Sequence, residues 1–451
     1  MNNYFLQELP YERDSATLLR QFSALPGLVL LDSGLGDTQH NQNVRYDILS
    51  ALPDLLISEE AGSVVLHTEH SATPFAGDIF AAVDAGLQQM SPPAEITMPA
   101  LLAALPFKGG AIGSFGYERQ SRIGIYSWAV VVDHQLARTL LFALPNCAPN
   151  TRQRVLDCLQ AQPGSLKSFK LHQPFTSNFT ADGYKAAFDR IQDYIHAGDC
   201  YQVNLAQRFT SRYEGDPLSA YLHLRQHIHS PFSAYMQRDQ GAVLSFSPER
   251  FVAVEEGRVL TQPIKGTRPR SDDAAQDRLL AAELQASDKD RAENLMIVDL
   301  LRNDLGSICV TGSVQVDKLF ELQSFSNVHH LVSSISGTLS TEHSPLDLLR
   351  NSFPGGSITG APKRRAMQII AELEPDGRKV YCGAIGYIGF DGRMDSNITI
   401  RTLLCEAPDI LCWGGGGIVA DSVWSAEYQE SYDKINNIIN ALYHPSNPKN
   451  D

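Results

Sequence analysis

The stretch YQVNLAQRF, residues Tyr201–Phe209, alternates apolar and polar side chains along its length. Successive side chains of a β-strand point to opposite faces, so this alternation predicts a strand with one apolar and one polar face. The apolar face holds Tyr201, Val203, Leu205 and Phe209, and the polar face holds Gln202, Asn204 and Arg208. The segments AVLSFSP (Ala242–Pro248) and ITIRT (Ile398–Thr402) alternate in the same way. The pattern favours antiparallel sheets with one covered face, because strands of buried parallel sheets are apolar throughout.

Helical patterns flank these strands. Before Tyr201, Thr180 can cap a helix and Gly198 can end it. The apolar residues between them recur every three or four positions, as a helix with one buried face requires. Helix and strand signals then alternate to the C-terminus. The sequence therefore predicts an α+β fold in which antiparallel β-sheets pack as a sandwich with helices outside.

The first part of the chain alternates short apolar runs with turn residues. These runs predict strands at Leu25–Gly34, Gly62–Glu69 and Tyr126–His134. The segment Pro145–Pro174 has scattered Pro, Gly, Ser and Gln and only a short helical pattern near Val155–Leu159, which favours a linker. We therefore divide the chain into a first region, residues 1–170, and a second region, residues 175–446.

The composition is that of a globular protein, and the formal net charge of the 451 residues is −14. This charge argues against nucleic acid or an anionic membrane as the main partner. The seven cysteines are odd in number and contain no CxxC pair, so they favour neither a disulfide framework nor a zinc site. The start has no signal-peptide pattern, and no apolar run is long enough to span a bilayer. We expect a reduced, soluble, cytoplasmic protein.

Two predicted helices each carry a pair of acidic residues on one face. Asp290 and Glu293 follow the capping residue Ser287, and Glu427 and Glu430 lie near the C-terminus. Residues three apart are neighbours on a helix surface. Two converging pairs could hold a hard cation, and Mg²⁺ is the natural candidate because it takes oxygen ligands and keeps some waters. Acids near helix N-termini also complement the helix dipole, and by spacing alone that solvated role is the more frequent one.

A Gly-rich run, FPGGSITGAPKRRAMQII (Phe353–Ile370), opens onto a predicted helix whose first position suits Pro362. A helix N-terminus of this kind offers backbone N–H groups to an anion. The run is not a P-loop, because Gly360 is followed by Ala-Pro-Lys, and this disfavours nucleotide binding. A tight turn before a helix is the alternative.

Three further features are weak when each is taken alone. Arg401 lies on the polar face of the predicted strand and can hold a carboxylate bidentately, although a strand arginine is usually a surface ion-pairing residue. Four consecutive glycines, Gly414–Gly417, permit close approach of the backbone to a ligand. Lys265, in PIKGT, becomes a nucleophile only if burial or nearby positive charge keeps its amine neutral. Glu249 is a possible acid partner, and a plain turn lysine is the alternative.

The order of these segments resembles the motif series of the chorismate-utilising enzymes. The series here comprises SPERF, PIKGTRPR, DKDRAENLMIVDLLRNDLG, VHHLVSSISG, FPGGSITGAPKRRAM, YCGAIGY, SNITIRT, GGGGIVADS and AEYQESYDK. The family includes anthranilate synthase component I, aminodeoxychorismate synthase component I, isochorismate synthases and salicylate synthases. The resemblance implies the fold of anthranilate synthase component I. It also implies that residues 175–446 bind chorismate and that residues 1–170 pack closely against them.

The resemblance assigns roles to residues of this chain. Catalytic roles fall to Lys265, Glu249, His330 and Thr267. Substrate binding falls to Arg401, Tyr381, Gly415, Gly417, Lys434 and Ser357. Mg²⁺ ligation falls to Glu293 and Glu430, supported by Asp290 and Glu427. A cation and an arginine would explain how an acidic protein binds the chorismate dianion.

Lys265 indicates which reaction the resemblance implies. Anthranilate synthases usually have Ala inside the PI-x-GT motif, whereas bacterial aminodeoxychorismate synthases have Lys. We therefore expect a transferase that adds ammonia at C4 of chorismate, giving 4-amino-4-deoxychorismate on the way to 4-aminobenzoate and folate. A separate glutamine amidotransferase subunit would supply ammonia, since no cysteine lies in a glutaminase nucleophile motif. Amination at C2, as in anthranilate synthase, and a non-catalytic amino-acid-binding subunit are the alternatives.

A second site is implied in the first part of the chain. In the family, a Leu-x-Ser stretch and a loop like HSPFSAYM form a tryptophan pocket. The matching residues here are Ser33, Tyr46, Pro231, Phe232 and Tyr235. Bound tryptophan is therefore a candidate ligand, and ordinary core and turn residues are an equally good interpretation.

Overall fold

The computed structural model describes residues 3–34, 43–93, 96–325 and 328–443. The strands in these ranges are β1 Phe5–Leu9, β2 Val29–Asp32, β3 Tyr46–Ser50, β4 Leu55–Glu60, β5 Ser63–His67, β6 Ala72–Phe75, β7 Gly110–Phe115, β8 Ser121–Tyr126, β9 Trp128–Asp133, β10 Arg138–Ala143, β11 Lys170–Leu171, β12 Thr176–Ser177, β13 Gln202–Glu214, β14 Phe232–Arg238, β15 Gly241–Ser247, β16 Arg250–Glu255, β17 Arg258–Thr261, β18 Ile264–Pro269, β19 Gln315–Ser324, β20 Val328–Thr338, β21 Gly360–Ala361, β22 Ala384–Gly389, β23 Met394–Ile398, β24 Thr402–Glu406 and β25 Asp409–Ile418. The helices are α1 Ala16–Gln21, α2 Ile79–Met90, α3 Ala100–Ala103, α4 Pro149–Gln160, α5 Ala181–His196, α6 Pro217–Arg225, α7 Ala274–Ala286, α8 Asp288–Gly306, α9 Pro345–Ser352, α10 Lys363–Leu373 and α11 Trp424–Tyr443. None of these helices has the length and apolar character needed to cross a membrane.

The strands form two antiparallel sheets. In the first sheet the order is β1-β10-β9-β3-β2-β14-β15-β24-β25-β13-β11, and β12 and β21 also pair with β13. In the second sheet the order is β18-β20-β17-β16-β23-β22-β7-β8-β4-β5-β6, and β19 also pairs with β20. One hydrophobic core contains residues of both sheets, for example Val243 of β15 and Ile385 of β22. The predicted α+β fold, with stacked antiparallel sheets and helices outside, is confirmed.

Both sheets combine strands from either side of residue 170. Strand β2 pairs with β14 in the first sheet, and β7 pairs with β22 in the second. The boundary itself stays a prediction, and the end of the second region at residue 446 lies outside the described residues. Helix α4 occupies much of the predicted linker and is longer than the sequence pattern indicated. Its Val155 is buried in a core on the first sheet, so tertiary packing stabilises a helix that its own sequence only weakly favours.

The prediction of one covered face is wrong for the strands that surround the site. In β15, six of the seven residues are buried. The inner face of this sheet packs toward the second sheet, and its outer face lies under helices, including α6 and α11. Gln202 and Asn204, on the polar face of β13, are 1% and 6% exposed. The alternation of apolar and polar residues therefore indicates which side chains share a face of the strand. It does not indicate whether that face is exposed to solvent.

The predicted N-terminal caps of α5 and α8 are confirmed. Thr180 Oγ1 accepts a hydrogen bond from Gly183 N at 3.0 Å, and Gly198, at φ 81°, follows the end of α5. Ser287 Oγ accepts from Asp290 N at 3.2 Å at the start of α8. Pro362 lies one residue before α10 and not at its first position. Caps depend on neighbouring residues alone, which is why the sequence predicts them.

The strand predicted over Ile398–Thr402 is interrupted, so the prediction of a continuous strand there is wrong. Strand β23 ends at Ile398 in the second sheet, and β24 begins at Thr402 in the first sheet. The chain crosses between the sheets at residues 399–401. Arg401 has φ 51°, in the left-handed region, which ends the strand alternation. Arg401 therefore belongs to the crossing between the sheets and not to a strand face.

Candidate active site

The predicted catalytic lysine lies beside a buried turn. Lys265, on β18, donates a hydrogen bond from Nζ to Ser357 O at 3.2 Å. Ser357 Oγ donates to Glu249 Oε1 at 3.2 Å. Ser357 belongs to a short 3-10 helix, Gly356–Ile358, in the Gly-rich run before α10. This turn therefore connects the amine of Lys265 with the carboxyl group of Glu249.

Burial changes the protonation of both groups. It lowers the pKa of Lys265, although Glu293 and Glu249 act in the opposite direction. It raises the pKa of Glu249, although Lys265 and Ser357 oppose the shift. The two pKa values move toward each other, which increases the population in which a neutral amine lies beside a neutral carboxyl group. A neutral amine can act as a nucleophile, and a neutral carboxyl group can donate a proton.

A histidine and a threonine on neighbouring strands lie next to this pair. Thr267 of β18 is the cross-strand neighbour of His330 on β20, and Thr267 Oγ1 lies 2.9 Å from His330 Nδ1. Burial, followed by the charge of Arg401, lowers the pKa of His330 to about 3. The imidazole is therefore neutral near neutral pH. It can offer hydrogen bonds to a ligand, but it cannot act as an imidazolium acid there.

The two acids of α11 lie near a glycine of β25. A Cβ at Gly416 would stand 2.8 Å from Glu427 Oε2 and 3.3 Å from Glu430 Oε1. Burial raises the pKa of Glu427 and also that of Glu293, which Glu430 raises further. Glu430 is partly exposed, and Lys434, whose Nζ lies 2.7 Å from Glu430 Oε1, lowers the pKa of Glu430 against the effect of desolvation. Crowded carboxylates of this kind favour a bound cation.

Asp290 is paired with an arginine, although it lies near enough to Glu293 to raise the pKa of that carboxyl group. Its Oδ2 accepts from Arg268 Nη2 at 3.4 Å, beside Gly266. Among the described residues, no three acidic, histidine or cysteine side chains stand in a metal-holding arrangement. Mg²⁺ needs only one or two carboxylates, because it keeps several waters and takes oxygens of its substrate. Glu427 and Glu430 flank Gly416, and Glu293 lies near enough to Glu430 for the two charges to repel, so these acids fit that requirement.

The glycines of β25 form another wall of the site. Gly415 pairs with Ala206, and Gly417 pairs with Asn204, both on β13. Lys434 Nζ donates to Gly415 O at 2.7 Å, which joins this strand to α11. Tyr381 stacks on Trp413 of β25, with ring centroids 5.9 Å apart. Burial lowers the pKa of Arg401, which lies near enough to Glu249 for that carboxylate to oppose the shift. The structure thus brings cationic groups and open backbone to one place.

Two amides on β13 received no role from the sequence. Both amide atoms of Gln202, and Oδ1 of Asn204, are buried without a hydrogen-bond partner. A side chain at Gly417 would collide with the amide of Gln202. Buried polar atoms without partners are rare, and here they indicate groups that a ligand would satisfy. The available signal was the polar face of the alternating strand.

The residues predicted to bind tryptophan are only partly together. Ser33, Tyr46, Pro231 and Phe232 line a cavity of about 1780 Å³. Tyr235 does not line it, because its ring packs against Tyr221 of α6, with centroids 5.5 Å apart. The occupant of this cavity stays a prediction.

Sequence and structure both match known proteins. A family model described as chorismate binding enzyme matches residues 95–440, which include every residue of the candidate active site. Aminodeoxychorismate synthase component 1 of Escherichia coli (strain K12) is 44% identical, over 96% of this chain and 97% of that protein. Anthranilate synthase component 1 of Bacillus subtilis (strain 168) is 32% identical, over 88% of this chain and 84% of that protein. The crystal structure of anthranilate synthase component I from Streptococcus pneumoniae TIGR4 has a TM-score of 0.75 and 30% identity, over 88% of this chain and 92% of that chain.

Proposed function

This chain belongs to the chorismate-binding enzymes, and from that premise we propose that it adds ammonia at C4 of chorismate to form 4-amino-4-deoxychorismate, a precursor of 4-aminobenzoate. The observation that carries the proposal is the half-buried Lys265, whose amine shares the Ser357 turn with the carboxyl group of Glu249. The match to an aminodeoxychorismate synthase component over 96% of the chain supports amination at C4. Amination at C2 is the second candidate, supported by the similarity to anthranilate synthase components.

In the proposed reaction, the neutral amine of Lys265 attacks C2 of the ring. The C2–N bond forms, the ring double bonds shift, and the C4–O bond breaks as Glu249 protonates the departing hydroxyl to give water. The lysine nitrogen then carries the positive charge. Ammonia forms a bond to C4, the double bonds shift back, and the lysine leaves C2 as a neutral amine. The new C4 ammonium or solvent returns a proton to Glu249, so two easier steps replace one direct displacement.

The remaining residues would hold and orient the substrate. Arg401, Tyr381, Lys434 and the backbone of the β25 glycines would bind the enolpyruvyl carboxylate, because a cation and free N–H groups suit an anion. His330, Thr267 and Ser357 would line the ring. Burial of these groups excludes water, which keeps the lysine amine neutral and protects the covalent intermediate.

We propose Mg²⁺ as the cofactor, held by Glu293 and Glu430 with support from Glu427 and Asp290. When bound, the ion would supply positive charge that binds the ring carboxylate of chorismate. The repulsion of Glu430 with Glu293 and with Glu427 supports this assignment. The ion pair between Arg268 and Asp290 makes Asp290 the weakest member of the set.

Glu430→Gln is expected to weaken the binding of Mg²⁺ measurably. Loss of one carboxylate ligand should raise the Mg²⁺ concentration for half-maximal amination by about 10-fold or more, since changes in a metal's surroundings commonly cost that much. Initial rates at increasing MgCl₂ measure this value. Asp433→Asn, on the same helix but bonded only to the exposed Gln429, serves as the control. Equal Mg²⁺ dependence in both variants would contradict the assignment.

The proposed reaction is tested by mass spectrometry of the products after incubation with chorismate, Mg²⁺ and ammonium at mildly alkaline pH. We expect aminodeoxychorismate, which a lyase converts to 4-aminobenzoate. Anthranilate instead would keep the family and move the amination to C2. Absence of any aminated product would overturn the catalytic proposal and favour a non-catalytic subunit.

The relatives are named as component 1, which implies a partner component. We propose that the partner is a separate glutamine amidotransferase subunit that supplies ammonia. This predicts that the chain alone uses ammonium but not glutamine. Formation of glutamate by the purified chain alone would contradict it.

Tryptophan is the proposed occupant of the cavity near Ser33 and Tyr46.

A further inference from the structure

A buried ion pair lies behind the candidate active site. The side chains of Arg378 and Glu374 are 0% and 5% exposed. Arg378 Nε donates to Glu374 Oε2 at 2.9 Å, and Arg378 Nη2 donates to Glu374 Oε1 at 2.6 Å. A buried ion pair is costly to desolvate, and apolar residues of similar volume often stabilise a protein as well or better. Stability alone is therefore a weak explanation for this pair.

The pair also binds the backbone of two separate segments. Arg378 donates from Nη1 to Ile358 O at 2.9 Å and from Nη2 to Asn204 O at 2.8 Å. Glu374 Oε1 accepts from Ala206 N at 2.8 Å. Strand β13 pairs with β21 at residues 202–203 and with β12 at residues 209–210. No described strand pairs with the residues between them on that edge, so the ion pair supplies the donor and acceptor that buried backbone requires.

The groups held by the pair belong to two adjacent segments of the site, because Asn204 N also donates to Thr359 O at 2.8 Å. Ile358 follows Ser357, the residue that connects Lys265 with Glu249. Asn204 and Ala206 are the ladder partners of Gly417 and Gly415. The guanidinium also lies 5.0 Å from the ring centroid of Tyr117 and 5.9 Å from that of Tyr381. The guanidinium of Arg378 thus contacts the turn that holds Lys265 and the strand β13 that pairs with the glycines of β25. It also lies near the ring of Tyr381, a proposed substrate-binding residue.

We propose that Arg378 and Glu374 are positioning residues that fix the Ser357 turn relative to β13 and its glycine-containing partner strand β25. They thereby align the amine of Lys265 with the bound chorismate ring. This inference rests on the proposed amination. An apolar pair could fill the same volume, but it could not join three backbone groups of two segments. Alignment matters because a misplacement of about 1 Å at the reacting atoms can cost about 100-fold in rate.

Arg378→Lys tests the proposal in the full chain with ammonium as nitrogen donor. A lysine ammonium lacks the planar fork of arginine, so it cannot serve Ile358 O, Asn204 O and Glu374 together. The turn should shift, while the β13–β25 ladder keeps the glycines in place. We expect kcat to fall about 30-fold, the fraction of chain with a chorismate-derived adduct to fall with it, and the Kd of chorismate to change less than about threefold.

A second ion pair gives a matched control for stability. Lys363 Nζ lies 2.7 Å from Asp304 Oδ2 and donates to Ser352 O, and both side chains are largely buried. Within the described part of the chain, the charged groups of this pair form no hydrogen bond or ion pair with the Ser357 turn or with β13. Asp304→Asn should therefore lower Tm but keep kcat within about twofold of wild type. If Arg378→Lys does not fold, Glu374→Gln provides the same measurement, because its amide oxygen can still accept from Ala206 N.

The outcomes separate the positioning role from the proposed function. A wild-type chain that forms no aminated product overturns the proposed function, and the inference with it. An active wild type together with variants that retain kcat overturns the positioning role alone. Loss of kcat in Arg378→Lys only in proportion to the unfolded fraction would also overturn it. A folded variant with low kcat and little change in chorismate affinity supports it.

Discussion

Lys265→Ala is expected to abolish the covalent adduct with chorismate and to lower kcat with ammonium by roughly 100-fold or more, because removal of a nucleophile removes the two-step route. Chorismate should still bind, since Arg401 and the glycines of β25 remain. Intact-protein mass spectrometry after rapid acid quenching detects the adduct. The exposed Lys185, which pairs with Asp189 on α5, gives the control variant Lys185→Ala, which should form the adduct normally. An adduct of unchanged mass and amount in Lys265→Ala would show that another residue is the nucleophile.

The pH dependence of the wild type tests the same residue independently. The amine is nucleophilic only when neutral, and its neutral fraction rises as the pH approaches and passes the pKa. Burial lowers the pKa of Lys265 below the ordinary value of 10.5. The rate of adduct formation should therefore rise with pH and fall again as Glu249 loses the proton that it must donate, giving a bell-shaped profile with its maximum below pH 10.5. A rate that rises only around pH 10.5 or above would contradict a lowered pKa of Lys265.

Glu249→Gln is expected to produce the second large loss. The amide keeps the shape of the carboxyl group and can still accept from Ser357 Oγ, but it has no acidic proton to donate to the departing hydroxyl. Loss of a general acid commonly lowers kcat by about 10²–10⁴-fold. The KM of chorismate should change little, because Glu249 acts on the breaking bond. Steady-state kinetics at saturating ammonium measures both constants.

The exposed Glu214, at the end of β13, gives the control variant Glu214→Gln, which should behave as wild type. A substrate analogue whose C4 substituent leaves without protonation should restore part of the rate to Glu249→Gln. Equal impairment with such an analogue would place the role of Glu249 elsewhere, for example in orienting the Ser357 turn.

Some parts of this site were predictable because local sequence determines them. Thr180 and Ser287 cap α5 and α8 through hydrogen bonds to residues three positions away. The acidic pairs were recognisable from their spacing on one helix face. Motif order then identified the family, which indicated that these segments converge. Spacing alone could not have joined Lys265, Glu249 and Ser357, because they lie on three separate segments brought together by long-range packing.

Other parts depend on tertiary structure in ways the sequence hides. Arg401 continues the alternation of the preceding strand, yet the chain changes sheets there and the backbone adopts φ 51°. Arg378 lies in EPDGRK, a polar stretch typical of an exposed turn, but it is completely buried. Gln202 looked solvent-facing because the packing that covers both faces of β13 was not apparent. Each of these residues was misread or missed because burial is decided by distant segments.

The sharing of both sheets between the two halves of the chain restricts how this protein can be divided. A fragment that began after residue 170 would lack the strand that pairs with β14 in one sheet and the strand that pairs with β22 in the other. In both sheets the loss would leave a strand with unpaired backbone N–H and C=O groups, and such exposed edges promote aggregation. The catalytic half is thus not a detachable module. Recombination with related enzymes would succeed only where whole sheets are exchanged together.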